Sequence, residues 1–236
     1  MRGVRCGENA KENAKLSKEI GSDMYEEMKE KLFSAVIADA LDACGYRDQI
    51  LRHDIRPLFP DAVVVGRALT VLSVDVYDIP DEPYKLELEA VDALKSGDVL
   101  VAQTNGTTRS SLWGELLSTA AEARGARGAV IDGFTRDSQA IADMGFPLFV
   151  RGIAPYDSKG RSDVIAYNTP IDCGGVKVCP GDLVFGDFDG VVVVPRSVEE
   201  EVLKAAFEKA AEEKEVKQAL QNGMSATAAF EKYGIL

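Results

Sequence analysis

The chain has 236 residues, 46% of them hydrophobic and 28% charged, which is the composition of a globular protein long enough to bury a sizeable core. Its formal net charge of -12 argues against a general nucleic-acid binder, because neutralising phosphates requires clustered lysine and arginine. The single histidine, His53, excludes most Ser-His-Asp, Cys-His and multi-histidine zinc mechanisms, so any metal would be held mainly by oxygen ligands.

The first 22 residues are polar and predict a peripheral N-terminal arm, because their lysines leave no apolar core for a signal sequence or a membrane span. No later run reaches the roughly 18 apolar residues that a membrane-spanning helix usually needs. The cysteines lack the short spacings of zinc or redox motifs; they are Cys6, Cys44, Cys173 and Cys179. We therefore expect four free thiols in a cytoplasmic protein that contacts no membrane.

The next part of the chain alternates between helical and strand patterns. The predicted elements are a helix over 24–44, a strand over 62–74, a helix over 86–94, a strand over 98–102 and a polar loop over 103–111. Apolar residues that recur every four positions indicate the first helix, which Gly45 ends. The β-branched residues of the second element indicate one long strand, or two strands with a kink at Gly66.

The middle of the chain repeats a strand, loop and helix order. A helix is predicted over 113–124, a strand over 129–131, a helix over 138–144 and a strand over 148–150. This order favours parallel strand pairing with right-handed crossovers, and therefore an α/β fold.

The last third changes to short strands joined by turns, followed by a long helix. Strands are predicted over 176–178, 183–185 and 191–194. Residues 197–200 have the spacing of a capping box that would open a helix ending at Asn222 and Gly223, and a small terminal segment follows. We find no internal repeat and no linker, which predicts a single domain over 23–236.

Arg136 and Asp137 follow the predicted strand 129–131, at the end of the sheet where α/β proteins usually bind ligands. Two interpretations of this pair remain open. One is a structural ion pair or a helix N-cap by Asp137. The other is an anion clamp beside a metal ligand.

A glycine at a helix start, Gly114, precedes the second candidate segment. The backbone amides of Glu115, Leu116 and Leu117 would point at an anion, although Glu115 could equally serve only the helix dipole. This segment and the Arg136 segment each follow a predicted strand, so we expect the two loops to converge on one crevice.

Several segments together resemble the RraA-like family, which includes the 4-hydroxy-4-methyl-2-oxoglutarate / 4-carboxy-4-hydroxy-2-oxoadipate aldolases and the regulators of ribonuclease E activity. They are WGELL at 113–117, GAVIDGFTRD at 128–137, GFP at 145–147, and the stretch from PGD at 180–182 to GVVVVP at 190–195. The resemblance runs from about Leu32 to Gly223 in the same order. It implies a swivelling β/β/α fold, homotrimers or homohexamers, and an active site at a subunit boundary.

The resemblance also implies residue roles. The arginine that matches Arg136 binds the keto-acid end of the substrate and steadies its enolate, and the aspartate that matches Asp137 coordinates Mg²⁺ or Mn²⁺. The backbone of Gly114, Glu115, Leu116 and Leu117 is implied to hold the substrate carboxylate. The acidic residue that matches Glu115 orients metal-bound water; the aldolases have aspartate there, so Glu115 is longer by one methylene.

Other acidic residues have both a functional and a structural interpretation. In the family an acid comes from the C-terminal helix of a neighbouring subunit, and Glu212 and Glu213 match that region, but they also look like a solvated helix face. Asp132 could belong to the strand-end loop of the active site, or it could only form a hydrogen bond within the turn. The remaining candidates, Asp187, Asp189 and His53, are interpreted as two turn residues and a solvated histidine.

These observations favour a divalent-metal-dependent lyase that acts on small 2-keto acids. Retro-aldol cleavage of a 4-hydroxy-2-keto acid and decarboxylation of oxaloacetate both leave a pyruvate enolate, whose charge a cation and a guanidinium can meet. A Schiff-base mechanism is disfavoured because the loops 103–111 and 132–137 contain no lysine. The alternative is a non-catalytic regulator of the ribonuclease E type, which would have no physical need of Arg136 and Asp137. A methyltransferase activity is not indicated, since the chain lacks a glycine-rich adenosyl-methionine loop.

Overall fold

The structure is a computed structural model that describes residues 21–235. Its helices are α1 Ser22–Lys31, α2 Ser34–Ala43, α3 Lys85–Asp92, α4 Glu115–Ala123, α5 Ser138–Met144, α6 Glu199–Gln221 and α7 Ala226–Tyr233. Its strands are β1 Arg56–Pro57, β2 Val64–Asp75, β3 Asp98–Gln103, β4 Ser111–Trp113, β5 Gly128–Thr135, β6 Leu148–Ile153, β7 Ser162–Tyr167, β8 Ile171–Cys173, β9 Val176–Val178, β10 Leu183–Asp187 and β11 Gly190–Val194.

One curved sheet of nine strands organises the fold, in the order β1-β6-β5-β3-β2-β10-β11, with β4 beside β5 and β7 beside β2. The strands β2, β3, β5 and β6 pair in parallel, which confirms the pairing that the strand, loop and helix order predicts. Just before β1, Ile50 pairs with Val192 of β11, so this segment bridges the two edges of the sheet. The result is a nearly closed, barrel-like sheet, and the predicted α/β fold class is confirmed.

Alternation along the strands divides the buried residues into three clusters. Val99 and Val101 belong to a cluster without helical residues, which is the interior of the curved sheet. Leu100 and Ala102 face outward into a second cluster with α3, α4 and α5. A third cluster lies on the outer side of β10 and β11, where α1, α2 and α6 cover it.

The helix predicted over 24–44 is interrupted, and this is a correction. Leu32 and Phe33 have extended backbone conformations, so α1 and α2 are separate helices. The physical reason is a cap from another part of the chain: the backbone amide and the hydroxyl of Ser34 both donate to the Asp187 carboxylate, each at 2.7 Å. The four-residue periodicity continues across the break because both helices pack on the third cluster.

The predicted capping box at the start of α6 is also wrong. Val198 occupies the N-cap position and makes no side-chain cap bond. Glu199 instead pairs with Arg67, accepting at 2.7 Å from Nη2, and both side chains are largely buried. The long helix is therefore anchored to β2 by an ion pair rather than by its own first turn.

Several shorter elements were not predicted. Strand β4 lies at the end of the predicted loop, β7 and β8 have no counterpart in the sequence-based prediction, and the small terminal segment forms α7. Cys44 and Cys173 are free, whereas Cys179 is disulfide-bonded, so the expectation of four free thiols is wrong.

Residues 1–20 of the predicted N-terminal arm lie outside the described residues, and α1 begins at Ser22. Within residues 21–235, no helix combines the length and the apolar character needed to cross a membrane.

Candidate active site

The two predicted candidate loops lie side by side at the carboxyl ends of β4 and β5. These strands pair in parallel, with Trp113 opposite Thr135. The backbone amide of Arg136 and the hydroxyl of Thr135 both donate to the Trp113 carbonyl, each at 3.0 Å. Strand β4, which the sequence-based prediction missed, therefore brings Gly114 against Arg136 and Asp137.

Gly114 is required by space rather than by backbone conformation. Its φ of -159° is extended backbone that any residue can adopt. A Cβ added here, however, would lie 2.9 Å from Asp137 Oδ2 and 3.3 Å from Arg136 Cγ. The absence of a side chain at Gly114 thus lets the Arg136 and Asp137 side chains approach the start of α4.

Asp137 occupies the N-cap position of α5 in a left-handed conformation, with φ 54° and ψ 30°. It makes no side-chain cap bond to α5; its Oδ2 atom accepts instead from the backbone amide of Glu115, at 3.3 Å. Since Glu115 is the first residue of α4, the carboxylate serves the N-terminus of the neighbouring helix. The side chain remains 44% exposed, so it also faces the solvent of the cleft.

Arg136 lies between two carboxylates. Its Nε is 3.7 Å from Asp137 Oδ2, and its Nη1 is 3.4 Å from Asp157 Oδ1. Asp157 lies in the loop after β6 and was not found by sequence reasoning, because nothing in the pattern of that loop distinguishes it from other surface aspartates. The Asp157 carboxylate accepts from the Tyr84 hydroxyl at 2.6 Å and from the Ser158 amide at 2.9 Å.

These contacts determine the protonation states of Asp157 and Tyr84. Burial alone would raise the pKa of Asp157, but the Tyr84 hydroxyl, Arg136 and nearby backbone amides hold it below its ordinary value. Burial, and then the bond to Asp157, raises the pKa of Tyr84 to about 12. At neutral pH, Tyr84 is therefore a protonated donor and Asp157 an ionised acceptor.

The cleft beside this pair has a volume of about 340 Å³ and two unlike walls. Arg136 and Asp137 form the charged wall, while Ile153, Ala154 and Pro155 form the other. This open cleft can hold a small anion at its charged side and place a short apolar group against Ile153, Ala154 and Pro155.

The first turn of α4 forms the edge of this region. Glu115 is exposed and Leu116 is 78% exposed, whereas Leu117 packs partly against the outer cluster. Behind the turn, the Ser118 hydroxyl accepts from Trp113 Nε1 at 2.8 Å and lies 3.1 Å from the Gly114 carbonyl. These bonds fix the start of α4 against β4.

Asp132 is not joined to Arg136 by these contacts. It is buried on the inner face of β5, where it accepts from Arg52 Nη2 at 2.9 Å and from the Gly174 amide at 3.3 Å. Arg151 Nε lies 3.7 Å away. Burial raises the pKa of Asp132, although the Gly174 amide and the two arginines oppose that shift. Its visible role is to anchor the loops at the mouth of the curved sheet.

The two C-terminal candidates lie on α6, over the third cluster. Glu212 is exposed, and Glu213 is 4.0 Å from Lys209, which also pairs with Asp39 of α2 at 2.6 Å. Within one chain, these glutamates therefore belong to the α2 and α6 surface rather than to the cleft.

Among the remaining candidates, Asp187 does more than form the predicted turn, because its carboxylate also caps α2 at Ser34. Asp187 accepts from the amide of Asp189 at 2.9 Å within the turn between β10 and β11. His53 is exposed.

Comparison with known proteins identifies the family. The family model described as Aldolase/RraA matches residues 34–193. The chain belongs to the RraA-like family. A Halalkalibacterium halodurans protein, named as a candidate 4-hydroxy-4-methyl-2-oxoglutarate aldolase, is 34% identical over 194 residues, which cover 82% of this chain and 87% of the relative.

Two solved structures of similar size support the RraA-like fold. An uncharacterised protein from Pseudomonas syringae pv. tomato has a TM-score of 0.78 and 30% identity, covering 90% of this chain and 99% of its own. Streptomyces coelicolor RraAS2, described as an unusual member of the RNase ES inhibitor RraA protein family, has a TM-score of 0.76 and 29% identity, covering 84% and 98%.

The residues of the cleft fit only a cation that keeps most of its water. Among residues 21–235, no group of three or more histidine, cysteine, aspartate or glutamate side chains could hold a metal ion. Asp137 offers one solvent-facing carboxylate. Mg²⁺ commonly binds through one or two carboxylates and retains several waters, so Asp137 suits such an ion.

Proposed function

We propose that this RraA-like protein is a divalent-metal-dependent lyase that cleaves small pyruvyl acids through a pyruvate enolate. The proposed reactions are retro-aldol cleavage of substrates such as 4-hydroxy-4-methyl-2-oxoglutarate, decarboxylation of oxaloacetate, or both. The observation that carries the proposal is the cleft in which the Arg136 guanidinium, the Asp137 carboxylate and the start of α4 meet. The aldolase name of the Halalkalibacterium halodurans relative supports the same reaction class.

Arg136 is the proposed binding and catalytic cation. Its guanidinium can donate hydrogen bonds to the oxygens of a keto acid and stabilise the negative charge that appears on the enolate oxygen. The backbone at Gly114, Glu115, Leu116 and Leu117 would hold the substrate carboxylate, because amides of a first helical turn favour an anion. The Glu115 amide donates to Asp137 in the structure, so it would become free for the substrate when Asp137 turns to the cation.

Asp137 is the proposed ligand of Mg²⁺ or Mn²⁺. When bound, the cation would supply further electrostatic stabilisation of the enolate. Glu115 is exposed at the start of α4 and is the proposed group that orients water to receive the proton of the substrate's 4-hydroxyl. Glu212 or Glu213 would reach such a site only from a neighbouring subunit. We therefore propose that the protein forms a homotrimer or homohexamer.

A coupled assay tests the proposal directly. Purified protein with Mg²⁺ is given oxaloacetate or 4-hydroxy-4-methyl-2-oxoglutarate, and pyruvate is followed with a dehydrogenase. We expect pyruvate well above the rate with metal alone, and its loss when EDTA is added. Pyruvate at the metal-only rate with both compounds would exclude these substrates.

Variants of Arg136 test the site within the same assay. Arg136→Lys keeps the positive charge but loses the planar guanidinium, which can donate two parallel hydrogen bonds. We therefore expect kcat/KM to fall roughly 10²-fold or more. Arg109→Lys is the matched control, because Arg109 is also a partly exposed arginine that pairs with an aspartate, Asp75, at 3.4 Å. Equal rates for the wild type and Arg136→Lys would remove Arg136 from the mechanism.

The second candidate function is a regulator that binds an RNA-degrading enzyme. The similarity to Streptomyces coelicolor RraAS2 is the observation that favours it. A protein that binds such an enzyme and forms no pyruvate would establish this alternative.

A further inference from the structure

A second carboxylate contacts Arg136 away from Asp137. Asp137 lies nearest Nε of the guanidinium, whereas Asp157 lies nearest Nη1, at 3.4 Å. The guanidinium is thus approached at two different nitrogens, and a rotation away from the cleft would break at least one contact.

Asp157 is itself fixed on both of its oxygens. Oδ2 accepts from the Tyr84 hydroxyl at 2.6 Å, and Oδ1 accepts from the Ser158 amide at 2.9 Å. Tyr84 directly precedes α3 and has a left-handed backbone conformation, with φ 67°. The bond to Asp157 therefore links the start of α3 to the loop that follows β6.

The pair of Arg136 and Asp157 is too exposed to be a major source of stability. Their side chains are 40% and 35% exposed, and ion pairs at such positions contribute little to the free energy of folding. The contact can still affect substrate binding by fixing the orientation of Arg136. A long arginine side chain loses much rotamer freedom when it binds a substrate. A partner that restricts the guanidinium beforehand reduces that loss on binding.

We propose that Asp157, held by Tyr84, is a positioning residue that orients the Arg136 guanidinium toward the substrate. The proposal rests on the proposed function, in which Arg136 binds the keto acid. Asp157 acts through Arg136 and does not itself touch the reacting atoms. Tyr84 acts one step further back, by holding Asp157.

Three variants test whether Tyr84 acts through Asp157 and Asp157 through Arg136. They are Asp157→Asn, Tyr84→Phe and the double variant. We expect Asp157→Asn to raise KM and lower kcat/KM on the order of tenfold, with kcat changed much less. Tyr84→Phe should act in the same direction but more weakly. In the double variant, Tyr84→Phe should add nothing to Asp157→Asn, because residues that act through one contact are not additive.

Asp75→Asn is a closely matched control. Asp75 pairs with Arg109 at 3.4 Å and is 34% exposed, so it matches Asp157 in both distance and exposure. We expect this control to leave KM unchanged. Melting temperatures of all variants should stay close to that of the wild type, since a purely structural role would lower stability together with activity.

Calorimetric titration with oxalate, in the presence of Mg²⁺, provides a readout that needs no turnover. Oxalate resembles the planar, doubly charged enolate, and Asp157→Asn should bind it about tenfold more weakly than Asp75→Asn does. If the wild type forms no pyruvate but oxalate binding shows this difference, the proposed function fails and the positioning role stands. Equal oxalate affinity in the two variants, or a wild type that binds no oxalate, would overturn the positioning role.

Discussion

Asp137 has a left-handed backbone conformation, which costs about 1–3 kcal/mol for a residue other than glycine. Its carboxylate also bonds the first amide of α4 rather than its own helix. The carboxylate therefore caps a neighbouring helix and not, as the sequence predicts, the helix that follows Asp137, while its role as a metal ligand stays a prediction. The two roles make different demands on the side chain.

Asp137→Asn separates these roles. Asparagine tolerates the left-handed conformation and can still accept from the Glu115 amide, but it lacks the charge that a divalent cation needs. We expect the variant to fold normally and to lose the rise in melting temperature that Mg²⁺ gives the wild type. Asp143→Asn, on the same helix, is the control and should keep that rise. A Mg²⁺-dependent rise that persists in Asp137→Asn would leave only the capping role.

Gly114→Ala tests the close approach at the same place. The added methyl would lie 2.9 Å from Asp137 Oδ2, which is the end of a partly exposed side chain and can move. We expect little loss of stability and a fall in kcat/KM on the order of 10²-fold, because Asp137 and Arg136 would be displaced. At Gly21, an added Cβ meets nothing within 4 Å, so Gly21→Ala should change neither quantity. An active Gly114→Ala would show that the cleft tolerates displacement.

At the scale of elements, α3 carries a buried acid, Glu87, behind the Asp157 loop. Its side chain is 9% exposed and accepts from the Ser158 hydroxyl at 3.4 Å. Burial raises the pKa of Glu87 to about 7, and the charges of Asp157 and Asp163 add to the shift, while the Ser158 bond and Arg136 oppose it. The folded protein is therefore more stable when this carboxyl is protonated.

The pH dependence of stability follows from this shift. The pKa of Glu87 is about 7 in the folded protein, and its ordinary value is 4.5. The stabilisation from the protonated carboxyl is therefore complete below about pH 4.5 and is lost as the pH rises through 7. A shift of this size corresponds to roughly 3 kcal/mol. Glu87→Gln should remove this loss and be more stable than the wild type at pH 8, as measured by urea unfolding across pH 5–8. Exposed Glu89, on the same helix, gives the control Glu89→Gln, and parallel wild-type and Glu87→Gln curves would contradict the expectation.

The elements also show which features a sequence pattern can predict. The helix over 138–144 was predicted at its observed bounds, because local periodicity and flanking residues determine it. The break between α1 and α2 depends on Asp187, which is 153 residues from Ser34 in sequence. Strand β4 is three residues long and its pairing is with β5, so its local signal is weak.

The candidate site divides in the same way. Arg136, Asp137 and Gly114 could be selected from the sequence because each follows a predicted strand or opens a predicted helix. Asp157 and Tyr84 could not, since nothing in the sequence of the loop after β6 marks Asp157, and the two residues meet only through the tertiary fold. Asp132 matched a motif of the family, yet its contacts are on the inner face of β5.

For the whole molecule, the predicted trimer or hexamer can be tested together with activity. Exposed apolar side chains lie in and beside the cleft, including Leu116 and Ile153, and such patches commonly mark contacts between proteins. We expect light scattering after size exclusion to give three or six times the mass of one chain. If the active site lies at a subunit boundary, activity per chain should fall on dilution as the assembly dissociates. A monomer with full activity would exclude a shared site.

The cap that joins Ser34 to Asp187 also has a consequence for synthesis on the ribosome. Helices α1 and α2 share their core with β10, β11 and α6, which are made much later. The apolar faces of these two helices therefore stay uncovered until most of the chain has been translated, and contacts so distant in sequence form slowly. We expect the third cluster to close last during folding, because its members are the most widely separated along the chain.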